Sequence, residues 1–437
     1  MNRSRIDLRD YTIQLRQALR RYLPAQGLPL LCDTGRWSDR ILVTTILLLV
    51  FSSLGSLQDR FAEARAAVVK MYPSRRRPGK TYAGFSGQLL RHSTRLLELV
   101  TQALRQRLIQ HAGASWKIGR HLAFGVDGTK SDASRTDANR QGLKIGGKRK
   151  SGPQQLLVVL LHLGTGLPWS WRRGMAVASE RALLLAQLWG LPVGALLVAD
   201  AGYIGYDWAQ QVLAGGYHLL VRVGNNVCLI QGLGAGVRVR QKGDLVYLWP
   251  EAVQGRGGAP LVLRRIVLVD GKNRQMCLLT SLSEAELTLA EACQLYRQRW
   301  GIEVFFRGLK QTLARRKMLS DSPVQAGVEL DWTMVGYWLL GFLLWENRPP
   351  QVPTTQGLAW ALRLVRAALA GRGDKRGNFA TGWRKLTGDR YRRRHPKAAH
   401  NWPHKKNEPP CGMPKLRMAT TLEIRRVKAF TRQKQAA

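Results

Sequence analysis

Apolar residues recur at spacings of three and four over Ile6 to Leu23, Asp39 to Leu54, Asp59 to Met71 and Gly87 to Ile109, the pattern of helices that bury one face. Residues 1–115 are therefore expected to be all-helical. Pro73, Pro78 and Gly79 interrupt the pattern, with Arg75, Arg76 and Arg77 between them. From Leu122 the period changes. LAFGVD reads as a short strand ending at Asp127, LLVVLLHL as a buried strand, and Leu167 to Trp171 as its hairpin partner. Ser179 is a candidate N-cap for a helix reaching about Trp189. A strand over Ala195 to Ala199 ends at Asp200, and a helix and a further strand, Tyr217 to Val223, follow. This order predicts an α/β unit with a mixed sheet. Short strands with Gly-rich turns (Val237 to Val239, Leu245 to Trp249, Leu261 to Asp270, Gln275 to Thr280) then suggest a β-rich insertion, and helix resumes at Ser283.

The resulting division is a helical region over 1–115, a first core part over 116–219, the insertion over 220–282, a second core part over 283–346 and a basic region over 347–437. In that last region Arg392 to Arg394 and Lys405 to Lys406 read as a flexible nucleic-acid-binding tail.

Charge narrows the partner. The 437 residues carry 69 Lys and Arg against 28 Asp and Glu, a formal charge of +41 that makes most sense beside a polyanion, DNA foremost. Carboxylates are scarce enough that one at a strand end is a better site candidate than usual. Five scattered cysteines without a C-x-x-C pair argue against zinc ribbons and disulfide frameworks. The apolar runs Ile41 to Phe51 and Trp332 to Trp345 fall short of the roughly 20 residues that a membrane span needs. With no signal-peptide core after MNRSRIDLRD, a cytoplasmic, nucleoid-associated protein without a membrane partner is expected.

The candidate chemistry lies in YRQRWGIEVFFRGLK. Tyr296, Arg299, Glu303 and Lys310 stand at helical offsets, and one continuous helix would hold all four within an arc of about 60°. One carboxylate flanked by two cations and a phenol suits work on phosphate. Ligands gather at strand ends of open α/β sheets, where Asp127 and Asp200 are expected. Three convergent carboxylates suit Mg²⁺ or Mn²⁺, and a pair of such ions can activate a water or hydroxyl and stabilise a leaving oxygen.

The spacing Tyr-x2-Arg-x3-Glu-x6-Lys resembles the signature of a branch of bacterial insertion-sequence DDE transposases. VDGT (Val126 to Thr129) and ADAGY (Ala199 to Tyr203) resemble that branch's two Asp motifs. The resemblance covers about Leu122 to Trp345. It implies a ribonuclease-H-like catalytic fold, DNA cleavage at the terminal repeats of a mobile element and strand transfer into target DNA. Asp127, Asp200 and Glu303 would be the metal-binding catalytic triad. Arg299, Lys310 and Tyr296 would hold DNA phosphates, Trp300 or Trp249 would stack on an extruded base, and a homodimer would pair two DNA ends. Many relatives carry Arg after the second Asp. Here Ala201 stands there, leaving the contact to Arg172, Arg173 or another nearby cation. A catalytically inactive DNA-binding relative and a general nuclease of the same fold are the alternatives.

Overall fold

In a computed structural model the described residues are 11–24, 28, 36–74, 77–146, 152–234, 244–269, 275–346, 357–370 and 412–436. The helical front end forms as the periodicity predicts. It comprises α1 (Tyr11–Arg20), α2 (Asp39–Phe51), α3 (Leu57–Met71) and α4 (Tyr82–His111). Ser38, Ser56 and Thr81 cap α2, α3 and α4 through their side-chain oxygens. Residues Ile41 to Phe51 of α2 are all buried, which explains a run apolar on every side. Lys148 to Lys150, the strand expected over Val237 to Val239 and the clusters Arg392 to Arg394 and Lys405 to Lys406 lie outside the described residues.

After these helices the chain lays down β1 (Ala123–Asp132), α5 (Asp137–Leu143), β2 (Gln154–His162), β3 (Leu167–Met175), α6 (Glu180–Leu185), β4 (Leu196–Ala199), α7 (Tyr206–Ala214) and β5 (His218–Val223). Next come β6 (Cys228–Gln231), β7 (Leu245–Leu248), α8 (Glu251–Gly255), β8 (Leu261–Val269) and β9 (Gln275–Thr280). Then follow α9 (Leu289–Gln298), α10 (Gly301–Arg307), α11 (Pro323–Glu346), α12 (Leu358–Leu369), β10 (Lys415–Met418) and α13 (Thr421–Ala436). The ten strands among the described residues form one mixed sheet in the order β10-β6-β7-β8-β9-β5-β4-β1-β2-β3. β1, β4 and β5 run parallel, whereas β1-β2-β3 is an antiparallel meander.

Two features differ from the sequence reading. The β-rich stretch extends the same sheet, because β9 pairs antiparallel with β5. Part of the basic C-terminal region is folded: β10 pairs parallel with β6, and Glu423 is bound by Arg417, Gln254 and Thr420. A tail read only by its charge hides this, since a four-residue strand and one buried carboxylate leave little pattern.

Side-chain alternation divides the two faces of the sheet. Gly128 and Gly174 lie against α6 through Glu180 and Leu183. Trp171 and Arg173 point the other way, toward Trp338 and Asp331 of α11. α11 is buried along most of its length, and its Gly336 lets Val50 and Phe51 of α2 approach closely. Arg315 strengthens that junction by donating to the Val50 carbonyl and to Thr333. No described helix is long and apolar enough to cross a membrane.

Candidate active site

The parallel pairing of β1, β4 and β5 reaches Val126, Ala199 and Val221, which are in register. One residue further along each chain stand Asp127, Asp200 and Arg222. Ala123, Leu196, Val198 and Leu220 share a cluster with Ala292 and Leu295 of α9. Strand alternation therefore brings Asp127, Asp200 and Arg222 out on the α9 face, where that cluster ends. β4 ends before Asp200, as expected. β1 does not end at Asp127 but continues to Asp132, paired with β2. Gly128 is thus a strand residue and not a turn.

Tyr296, Arg299 and Glu303 approach from above this edge, but not on one uninterrupted helix. α9 stops at Gln298 and α10 begins at Gly301. Between them Trp300, Ile302 and Glu303 donate to the carbonyls three residues back. After Arg307 a π turn, Gly308–Thr312, closes through Leu313 N to the Gly308 carbonyl. Gly301 lowers helical stability at the first break. At the second, Gly308 has Tyr337 and Leu358 packed where a side chain would stand. The tightened turn and the wide turn shift the winding away from 100° per residue. Lys310 lies half-buried in the π turn.

That cluster is closely bonded. The Tyr296 hydroxyl donates to Asp200 Oδ1 at 3.2 Å, which also accepts from the Ala201 amide at 2.8 Å. Arg299 Nη2 lies 3.3 Å from Glu303 Oε1 and 3.9 Å from Asp200 Oδ2. Asp127 accepts from the Gly128 amide at 2.8 Å. Burial pushes the Asp127 carboxyl up to about 6, although the Gly128 amide and the Arg299 charge pull against it. Burial, helped by the Asp200 charge, pushes the Tyr296 phenol up to about 12. Burial also opposes the Arg299 charge, but Tyr296, Asp200, Asp127 and Glu303 outweigh it and raise that guanidinium above its ordinary value.

The donor chemistry fits a hard divalent cation, because the candidate ligands are carboxylate oxygens. The spacing is not that of a ready-made cage: among the described residues no three His, Cys, Asp or Glu side chains group closely enough to hold an ion. Asp200 and Glu303 are instead linked through Arg299.

Two residues here escaped the sequence reading. Arg222 Nη1 lies 3.9 Å from Asp200 Oδ1, and a charged residue directly after the apolar run LLV was its only signal. Glu180 begins α6, accepts from the Tyr203 hydroxyl at 3.2 Å and packs against Gly128 from the opposite face. Arg172 and Arg173 lie on β3, and Arg173 is bound to Asp331 at 2.8 Å. Of the two tryptophans considered for stacking, Trp300 is 55% exposed beside the cluster. Trp249 is 2% exposed and donates its indole N–H to the Gly258 carbonyl at 2.6 Å, so its ring is core in this arrangement.

The chain has relatives. A protein of Sinorhizobium fredii (strain NBRC 101917 / NGR234) named as the transposase y4zB is 25% identical over 159 residues, 36% of this chain and 44% of that one. The match thus spans less than half of the relative's length. A structure of the piggyBac transposase synaptic complex with hairpin DNA aligns over 83% of this chain and 77% of the other at 10% identity, with a TM-score of 0.40. The family described as Transposase DDE domain matches residues 119–339, just over half of the chain and the stretch that holds the whole cluster, and the chain belongs to that family.

Proposed function

We propose that this protein is a DNA transposase that cuts the ends of a mobile element and joins them to target DNA. The observation that carries the reading is the grouping of Asp127, Asp200 and Glu303 around Arg299, where the parallel pairing of β1, β4 and β5 ends. The sheet order β3-β2-β1-β4-β5, antiparallel and then parallel, supports a ribonuclease-H-like core over 116–219 and 283–346. The strands of 220–282 would serve as its insertion, and the helices of 1–115 as an end-binding region.

Asp127, Asp200 and Glu303 would hold Mg²⁺ or Mn²⁺, which would supply an activated hydroxyl and stabilise the leaving oxygen. Arg299, Lys310 and Tyr296 would hold the scissile phosphate. Arg222 would add the cationic contact for which position 201, an alanine, provides no charge. Trp300, exposed beside the cluster, would stack on an unpaired base. Two copies would pair two DNA ends.

The test is cleavage of DNA carrying the terminal repeats that flank the reading frame, with Mg²⁺ or Mn²⁺. Asp127→Asn, Asp200→Asn and Glu303→Gln should each abolish nicking and leave DNA binding intact. Normal cutting by any of the three would overturn the assigned site. Binding without cleavage by the unaltered chain would favour an inactive relative, and cutting without preference for the repeats a general nuclease.

A further inference from the structure

Arg299 is 7% exposed, so water screens its contacts with the acids weakly. One nitrogen, Nη2, reaches both Glu303 and Asp200, and the same charge acts on Asp127. Its Nε, buried, has no hydrogen-bond partner among the described residues. A positive group thus sits between the carboxylates that a shared divalent cation would need, with part of its own donor set unfilled. A planar guanidinium matches phosphate oxygens in pairs, so a phosphate could fill the donors that the acids leave idle.

We infer that Arg299 is an internal latch. Without metal and DNA its guanidinium competes with a divalent cation for Asp200 and Glu303. A DNA phosphate receives the guanidinium as it leaves, and metal loading and DNA binding thereby reinforce each other. The identities of the cation and of the polyanion rest on the transposase reading. The competition itself follows from one side chain and two carboxylates.

Mn²⁺ titration of the full chain tests this without any cleavage step, first alone and then with a short random-sequence duplex. Arg299→Met and Arg299→Gln should bind Mn²⁺ about tenfold more tightly than the unaltered chain when DNA is absent, a factor within the usual range of coupling between sites. Adding duplex should tighten Mn²⁺ binding by the unaltered chain and change the variants little. Folded variants that bind Mn²⁺ no better than the unaltered chain would overturn the latch. If neither variant folds, the unaltered chain decides alone: duplex must tighten Mn²⁺ binding and Mn²⁺ must tighten duplex binding by the same factor, and no coupling overturns the proposal. Asp127→Asn and Asp200→Asn in the same titration separate the two readings. Mn²⁺ binding indifferent to both aspartates sinks the assigned site. Binding that depends on them, with no gain in the Arg299 variants, sinks the latch only.

Discussion

The carboxylate of Glu180 rests against Gly128, so close that a Cβ built on the glycine would stand 2.5 Å from Glu180 Cδ. The glycine that follows Asp127 thus lies against a neighbour from α6 and is not part of a turn. Gly128→Ala makes the flexible end of Glu180 swing aside and should cost about 1 kcal/mol or less, the worth of the Tyr203 hydrogen bond that the carboxylate gives up. In urea unfolding, Gly128→Ala/Glu180→Ala should be clearly more stable than the sum of the single changes predicts. Additive effects would mean that the two residues are not in contact.

Asp331 shows what a buried carboxylate does away from the site. It accepts from Trp171 Nε1 at 2.9 Å and from Arg173 Nε at 2.8 Å, joining α11 to β3. Asp331→Ala leaves both donors unpaired and should cost about 3 kcal/mol in denaturant unfolding. Arg173 is partly exposed and recovers some hydration, which sets this figure at the low end of buried-pair losses.

Two groups titrate with opposite consequences. Burial pushes Asp127 up to about 6 from its ordinary 3.8, so the folded chain keeps a proton that the unfolded chain has lost across that window. Its contribution to stability is therefore fully present below 3.8 and is lost as pH rises through about 6. A cation needs the ionised form, so Mn²⁺ affinity should rise with pH up to about 6 and level off above it. Asp127→Asn should remove that rise, and an unchanged pH profile would refute the assignment.

His162 runs the other way. It is held at Nδ1 by Thr165 and donates from Nε2 to the Trp116 carbonyl, and burial pushes it down to about 4. The unfolded chain takes up this proton near pH 6.5, so stability should fall as pH drops from about 6.5 to 4. Thermal unfolding of His162→Phe should show a shallower decline over that range.

Trp300 is exposed and joins no hydrophobic cluster among the described residues, so Trp300→Ala should change stability by less than about 0.5 kcal/mol. If it stacks on an unpaired base, binding to DNA with a frayed end should weaken by about 1–3 kcal/mol relative to a blunt duplex. Equal losses on both DNAs would exclude stacking.

The sequence by itself determined the helical front end, the α/β order after Leu122 and the motif residues, because these rest on local spacing. Periodicity of three and four needs one buried face, and an apolar run such as LLVVLLHL needs a sheet covered on both sides. Tyr296, Arg299 and Glu303 could be read from their offsets alone. Tertiary structure decided where those residues meet. The register of β1, β4 and β5 aligns Asp127, Asp200 and Arg222, which are far apart in the chain. Gly308 under Tyr337 and Leu358 accompanies the π turn in which Lys310 stands. The contact of Glu180 with Gly128 and the pairing of β10 with β6 likewise depend on neighbours more than fifty residues distant, and Trp249 is fixed by its bond to Gly258. Local pattern records which face a residue turns inward, but not which partner waits there.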